Sequence, residues 1–232
     1  WYPVIFFPEF NTKIIMKYKA IIFDMDGTLL NTIDDLANSM NRVLSKDQFP
    51  THTVADYKLM VGYGAYELVK RALPVTINEE SDILPYLKQF KADYFENWNV
   101  KTELYWGVSE MLNSLEQLEI KLSILSNKPQ PATLKCIEQY LHQYRFEIIL
   151  GQREGIPVKP DPTGALEICD QLGLIPDQVI FIGDTAVDIE TGKHAGMYTV
   201  GVTWGFRSRL ELENAKADYI IDKPEMLMTI FN

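Results

Sequence analysis

The sequence predicts an α/β fold, with a mostly parallel sheet flanked by helices on both faces and an all-helical insertion after the first strand. Three observations predict it. Short apolar runs alternate with amphipathic helical patterns along most of the chain. Two of those runs end abruptly in glycine and acids, at 24–28 and 183–188. Residues 31–100 break the alternation and carry helical patterns alone.

The elements follow in order. Residues 1–15 are aromatic, interrupted by Pro3 and Pro8, and do not begin with Met. They fall short of the ~20 apolar residues of a membrane helix. They also lack the basic start and small-residue cleavage site of a signal peptide. They read as an N-terminal extension: a misplaced start, an interaction tail or a packed arm. The first strand is predicted at 20–23, where A-I-I-F is apolar and partly β-branched. Helices are then expected at about 33–44, 54–60, 65–73 and 81–98. Phe49-Pro50, Gly62-Tyr63-Gly64 and Pro74 supply the turns between them. This stretch, 31–100, reads as a cap domain beside an active site, where a lid excludes water. The remaining core spans 16–30 and 101–232.

Residues 108–118 place Val108, Met111, Leu112, Leu115 and Leu118 on one helical face. Strands are expected at 121–125, 148–150, 179–182 and 198–202, with a sixth at 219–221. Helices at 131–140, 162–172 and 188–195 separate them.

Composition bounds the function. The chain has 232 residues, 47% of them hydrophobic, enough for a sizeable core and one or two domains. A net charge of -10 argues against general affinity for nucleic acid or an anionic membrane. A local site can still hold a small anion. Cys136 and Cys169 are too few for a disulfide scaffold, so a reducing cytoplasm is the default.

The candidate chemistry sits at strand ends, where ligands bind in open α/β sheets. Asp24 and Asp26 are two apart and share a side in extended chain. Gly27 permits a tight turn and Thr28 adds a hydroxyl. One carboxylate can attack phosphorus and a second can shuttle the leaving-group proton. Taken alone, the pair equally suits a helix cap or a solvated loop. Ser126-Asn127-Lys128 follows the next strand; Ser126 can donate to a phosphate oxygen, and Asn127 can orient substrate or nearby loops. Ser-Asn is also ordinary turn chemistry. Lys159, stiffened by Pro160 and Pro162, can neutralise phosphoryl charge or simply be a surface lysine. Asp184 suits a Mg²⁺ ion, which favours oxygen ligands. Asp188 can bind the metal directly, act through water, or cap the following helix. Together, four strand ends supply a nucleophile, an acid/base, a hydroxyl, a cation and metal-binding carboxylates.

In that order these residues closely resemble the four motifs of the haloacid dehalogenase-like superfamily. They are D-x-D-G-T at Asp24–Thr28, the hydroxyl of Ser126, Lys159, and G-D-x-x-x-D at Gly183–Asp188. The resemblance runs from about Lys17 to the C-terminus. It implies a Rossmann-like three-layer α/β/α core with a mobile helical cap. Asp26 separates the chain from dehalogenases, which lack that acid, and points to phosphoryl chemistry. The cap segments Val61–Ala65 and Leu68–Leu73, with Gly201–Gly205, look like those of phosphoglycolate phosphatases.

The resemblance also implies roles. Asp24 is the nucleophile and a Mg²⁺ ligand, and Asp26 is the acid/base and a ligand through its backbone carbonyl. Asp184 is a metal ligand, and Asp188 orients metal-bound water or Lys159. Thr28 positions Asp26 and belongs to the substrate site with Ser126, Asn127 and Lys159. The backbone amides of Met25 and Asn127 help hold phosphoryl oxygens. The implied activity is Mg²⁺-dependent hydrolysis of a small phosphorylated metabolite such as 2-phosphoglycolate, by a monomer or homodimer. Gly62 and Gly64 either let the cap backbone approach substrate and bend, or form a plain turn. Arg71 either meets a remote substrate carboxylate or faces solvent. Rival readings are a pyrophosphatase, a sugar or nucleotide phosphatase, a phosphosugar mutase, and a non-catalytic binding protein.

Overall fold

The central strand β1 (Ala20–Phe23) is buried on both faces, and its alternation sorts its side chains between two cores. Ile21 and Phe23 enter one hydrophobic cluster, whereas Ala20 and Ile22 enter another. The structure is a computed structural model and describes residues 17–231. The N-terminal extension read at 1–15 lies outside the described residues.

After β1 come β2 (Leu30–Asn31) and four helices: α1 (Ile33–Lys46), α2 (Val54–Met60), α3 (Ala65–Ala72) and α4 (Glu80–Asn97). The chain returns through β3 (Glu103–Leu104), which pairs antiparallel with β2. Then follow α5 (Val108–Gln117), β4 (Lys121–Pro129), α6 (Gln130–Tyr140), β5 (Phe146–Gln152) and α7 (Thr163–Leu172). The described chain ends with β6 (Val179–Gly183), α8 (Ala186–His194), β7 (Tyr198–Val202), α9 (Arg209–Asn214) and β8 (Tyr219–Ile221), and a final 3₁₀ turn at Pro224–Ile230.

The main sheet has the order β5-β4-β1-β6-β7-β8, with every pairing parallel. One face packs against α5 and α6 through Met111, Leu112, Leu115 and Cys136. The other packs against α7 through Ala165, Ile168 and Cys169. This is the Rossmann-like three-layer arrangement. The chain leaves β1 for β4 on one side and later returns to β6 on the other. The carboxyl ends of β1, β4 and β6 therefore open into one crevice.

The four inserted helices hold a hydrophobic cluster of their own, built on Leu36, Met40, Leu44, Tyr57, Leu68 and Phe90. Their base is fixed by Asp35, whose carboxylate accepts the backbone N–H groups of Lys101 and Thr102 and the Thr102 hydroxyl, at 2.8–3.0 Å. Among the described residues, no helix is long and apolar enough to cross a membrane.

Two differences from the expected elements bear on the site. β4 runs four residues past Leu125, through Ser126, Asn127 and Lys128 to Pro129. Polarity suggested an end there, but these three side chains are buried under the helical insertion. The short pair β2–β3 was also not expected. Two-residue strands carry no periodic signal, and this pair frames both passages between sheet and insertion.

Candidate active site

Asp24 extends the line of β1: its backbone N–H donates to the Ile182 carbonyl of β6 at 2.8 Å. The chain then folds back on itself. The N–H groups of Thr28, Leu29 and Leu30 all point at the Met25 carbonyl, at 3.0–3.3 Å. Gly27 sits at φ +96, in the left-handed region. A Cβ there would also collide with the Asp184 carboxylate. The D-x-D-G-T spacing thus serves a hairpin bend that presses one strand end against another.

β6 ends in the same place. Asp184 is fully buried; its Oδ2 accepts the Phe206 N–H at 2.7 Å, and its Oδ1 accepts the Thr28 hydroxyl at 3.3 Å. Gly183 leaves room for Asp188, whose carboxylate occupies the space a Cβ would need. Asp188 Oδ2 accepts the backbone N–H and hydroxyl of Thr185, at 3.0 and 2.7 Å. Its Oδ1 accepts from Lys159 at 2.7 Å. Helix capping and a place in the site therefore coexist in Asp188.

Lys159 lies between the two acids, 2.8 Å from Asp24 Oδ1 and 2.7 Å from Asp188 Oδ1, and is buried. Asn127 holds its backbone: Oδ1 accepts the Lys159 N–H at 2.8 Å, and Nδ2 donates to the Lys159 carbonyl at 3.0 Å. The same Nδ2 donates to the Gly62 carbonyl at 2.9 Å, tying this strand end to the helical insertion. Of the two readings of Asn127, the geometry favours orienting neighbouring loops. The Ser126 hydroxyl oxygen accepts the Lys128 N–H at 3.2 Å, and Ser126 faces the cavity.

Electrostatics follow from this crowding. Asp24, Asp184 and Asp188 each offer an oxygen within 4.8 Å of the others. Lys159 is the single ammonium paired with two of them. Burial pushes the Asp24 carboxyl up to about 7; Lys159 opposes the shift, and the Asp188 charge adds to it. Burial also drives Asp184 well above the usual carboxylate range, with Asp188 and Asp24 repelling its charge. Burial pulls Lys159 down, but Asp188 and Asp24 more than reverse that and leave it raised. Three dry carboxylates around one ammonium leave negative charge uncompensated. An oxygen-seeking divalent cation fits that donor set.

Asp26 points elsewhere. Its Oδ1 accepts the Thr32 hydroxyl at 2.7 Å, and Lys128 Nζ lies 3.0 Å from Oδ1 and 3.3 Å from Oδ2. Lys128 also donates to the Tyr94 hydroxyl of α4 at 2.9 Å. Burial lowers the Lys128 ammonium, but Asp26 and Tyr94 outweigh it and hold the group well above its ordinary value. Here the expectation for Thr28 is corrected. The hydroxyl that positions Asp26 belongs to Thr32, while Thr28 is buried against Asp184 and does not line the cavity. The tight bend carries residue 28 toward β6 and returns residue 32 to Asp26. Arg71 takes its solvent-facing reading: it lies over the Tyr63 ring beside Glu67, away from the cavity.

These groups form the floor of a cavity of about 250 Å³ between the strand ends and the insertion. Asp24, Asp26, Ser126, Lys128, Lys159 and Asp188 line the floor; Leu36, Leu68, Phe90, Tyr94 and Phe95 line the apolar roof. Gly62 and Gly64 also line it, at φ +114 and +88. Both are turn positions at the cavity wall. Sequence reasoning singled out neither Lys128, Thr32 nor Tyr94. Lys128 stood in the quoted Ser-Asn-Lys run, but nothing local marks one lysine of that run as buried. Thr32 and Tyr94 join the site only through folding.

Known proteins resemble the chain along most of its length. The family model for haloacid dehalogenase-like hydrolases matches residues 21–202. The phosphoglycolate phosphatase of Pasteurella multocida is 31% identical over 221 residues, covering 92% of this chain and 98% of that one. The N-acetylmuramic acid 6-phosphate phosphatase of Pseudomonas aeruginosa is 29% identical over 218 residues, covering 94% and 96%. A crystal structure from Lactobacillus delbrueckii subsp. bulgaricus superposes with a TM-score of 0.87 at 31% identity, covering 94% of this chain and 100% of the other.

Proposed function

The chain belongs to the haloacid dehalogenase-like hydrolases and is a phosphoric monoester hydrolase; from that premise we propose a Mg²⁺-dependent phosphatase of small phosphomonoesters, with 2-phosphoglycolate as the leading substrate. The observation that carries this reading is the junction of Asp24 and Asp184, just past β1 and β6, with Lys159 of the β5–α7 loop and Asp188 of α8. The substrate comes from the relatives' activity and from a floor that places cations beside the candidate nucleophile.

In this mechanism Asp24 attacks phosphorus in line and becomes an aspartyl-phosphate, dividing one hard displacement into two. Lys159, already 2.8 Å from Asp24, draws charge from the phosphoryl oxygens. Ser126 and the backbone amides of Met25 and Asn127 hold those oxygens. Asp26 protonates the leaving oxygen, then takes a proton from the water that hydrolyses the intermediate. The carboxylates of Asp24 and Asp184 and the carbonyl of Asp26 would hold Mg²⁺, backed by Asp188; the ion would supply positive charge against two approaching anions. Residues 31–100 act as the cap that excludes water and shapes the leaving-group pocket.

One alternative has an observation behind it. A cavity of about 250 Å³ is roomy for so small an acid, and a relative acts on N-acetylmuramic acid 6-phosphate. A larger sugar-acid phosphate is therefore the second reading. A phosphate-release screen decides between them, using 2-phosphoglycolate, sugar phosphates, nucleotides and pyrophosphate, with and without Mg²⁺. The proposal expects Mg²⁺-dependent release with 2-phosphoglycolate ranked first. No release from any monoester with Mg²⁺ present would overturn it.

A further inference from the structure

We propose that Lys128 determines specificity by receiving a carboxylate that the substrate carries next to its phosphoryl ester. The inference rests on the phosphatase reading above and assigns the receptor that such an acid would need.

The argument starts from position. Asp26 is the group that must reach the leaving oxygen. Lys128 Nζ lies 3.0 Å from Asp26 Oδ1. Two hydrogen-bond lengths then separate the ammonium from the leaving oxygen, about 6 Å. A carboxylate one carbon beyond that oxygen falls within reach of Lys128.

The second point is capacity. An ammonium has three donors. Tyr94 takes one at 2.9 Å and Asp26 Oδ1 another at 3.0 Å, while Asp26 Oδ2 lies farther, at 3.3 Å, and the lysine lines the cavity. A carboxylate can bind by replacing that longer contact, which leaves both partners in place. The ammonium is also fixed: it is 8% exposed, hydrogen-bonded to Tyr94, and 4.7 Å from the Tyr94 ring centroid.

The third point is the absence of a competitor. The cavity is lined by three lysines and, among the described residues, by no arginine or histidine. Lys159 is held between Asp24 and Asp188, beside the attacked phosphorus. Lys91 stands exposed on α4. The rest of the roof is apolar, with Leu36, Leu68, Phe90 and Phe95. A carboxylate entering beside such side chains must find a cation, because desolvating it unpaired is costly. Lys128 is the buried cation on the leaving-group side.

The test compares two nearly isosteric substrates, 2-phosphoglycolate and its amide, phosphoglycolamide, which differ in the charge of the terminal group. Wild-type kcat/KM is expected to favour the acid by at least ~10-fold. In Lys128→Met, kcat is expected to fall for both, because Asp26 loses a partner. The preference should collapse toward unity, through a KM that rises for the acid alone. Lys128→Arg keeps a cation in place and should retain several-fold preference, so it decides the matter if the Met variant does not fold. An unchanged preference in Lys128→Met would overturn the inference and leave Lys128 as a holder of Asp26 only. So would a preference lost equally in Lys128→Arg. A wild-type enzyme that hydrolyses both esters equally well overturns this inference but not the phosphatase reading. A wild-type enzyme that hydrolyses neither overturns both.

Discussion

Asp24 and Asp26 are two residues apart, and their surroundings give them different work. Asp24 is pinned by Lys159 among other acids, whereas Asp26 is held off by Thr32 and Lys128. Asp24→Asn should therefore lower kcat by at least ~10⁴-fold while the far-ultraviolet circular dichroism stays native. Near-wild-type turnover in that variant would remove Asp24 from its role. Thr32→Val deletes the 2.7 Å hydrogen bond that orients Asp26. It should reduce kcat about tenfold with KM little changed, since the loss falls on proton transfer rather than binding. A raised KM with normal kcat would contradict that placement. Gly27→Ala meets both a left-handed φ of +96 and the Asp184 carboxylate. It should cost at least ~2 kcal/mol in chemical denaturation. Asp24 and Asp184 were legible in the sequence because strand ends advertise themselves through apolar runs that stop at polar residues, and Lys159 stood out through the flanking Pro160 and Pro162. The partner of Asp26 was not, because the bend after Gly27 sends Thr28 to Asp184 and brings Thr32 to Asp26.

At the scale of elements, the helical insertion meets the strand ends through a few polar contacts around an apolar roof. Arg207 Nη2 donates to the Leu59 and Val61 carbonyls, at 3.1 and 2.9 Å, where α2 ends. Asn127 reaches the Gly62 carbonyl and Lys128 reaches Tyr94 on α4. Arg207→Met should loosen α2 without unfolding the sheet. Hydrogen exchange is the measurement: α2 amides should exchange about tenfold faster, as expected for the loss of a buried charged donor. Equal protection of α2 in both proteins would mean that Arg207 does not clasp the insertion. Sheet and helix positions were largely legible, since apolar period and turn residues agree there; β7 and β8 fall at the expected residues 198–202 and 219–221. The extension of β4 was not legible, because the burial of Ser126–Lys128 depends on helices some thirty to ninety residues earlier in the chain. α9 was missed for a different reason: six residues, Arg209–Asn214, are too few for a helical period to register.

Over the whole molecule, the buried acids make folding, metal and pH a single question. Asp24 stands at about 7 in the fold against an ordinary 3.8, and Asp184 is raised as well. The fold then holds these protons more tightly than the unfolded chain does. Their contribution to stability is present at low pH and is lost as pH rises from about 4 through about 7. A divalent cation takes the deprotonated carboxylates, so its stabilising effect grows over the same window. Mg²⁺ should raise Tm more at pH 8 than at pH 5, and Asp184→Asn should weaken that difference. An equal rise at both pH values would contradict the assignment of these acids to the ion. The central claim, a carboxylate that carries the phosphoryl group between two displacements, is tested most directly by stereochemistry. The measurement is hydrolysis, in isotopically labelled water, of a phosphorothioate monoester made chiral at phosphorus with oxygen isotopes, read in the chiral thiophosphate it releases. Two in-line displacements at Asp24 predict net retention of configuration; net inversion would mean that water attacks the substrate directly.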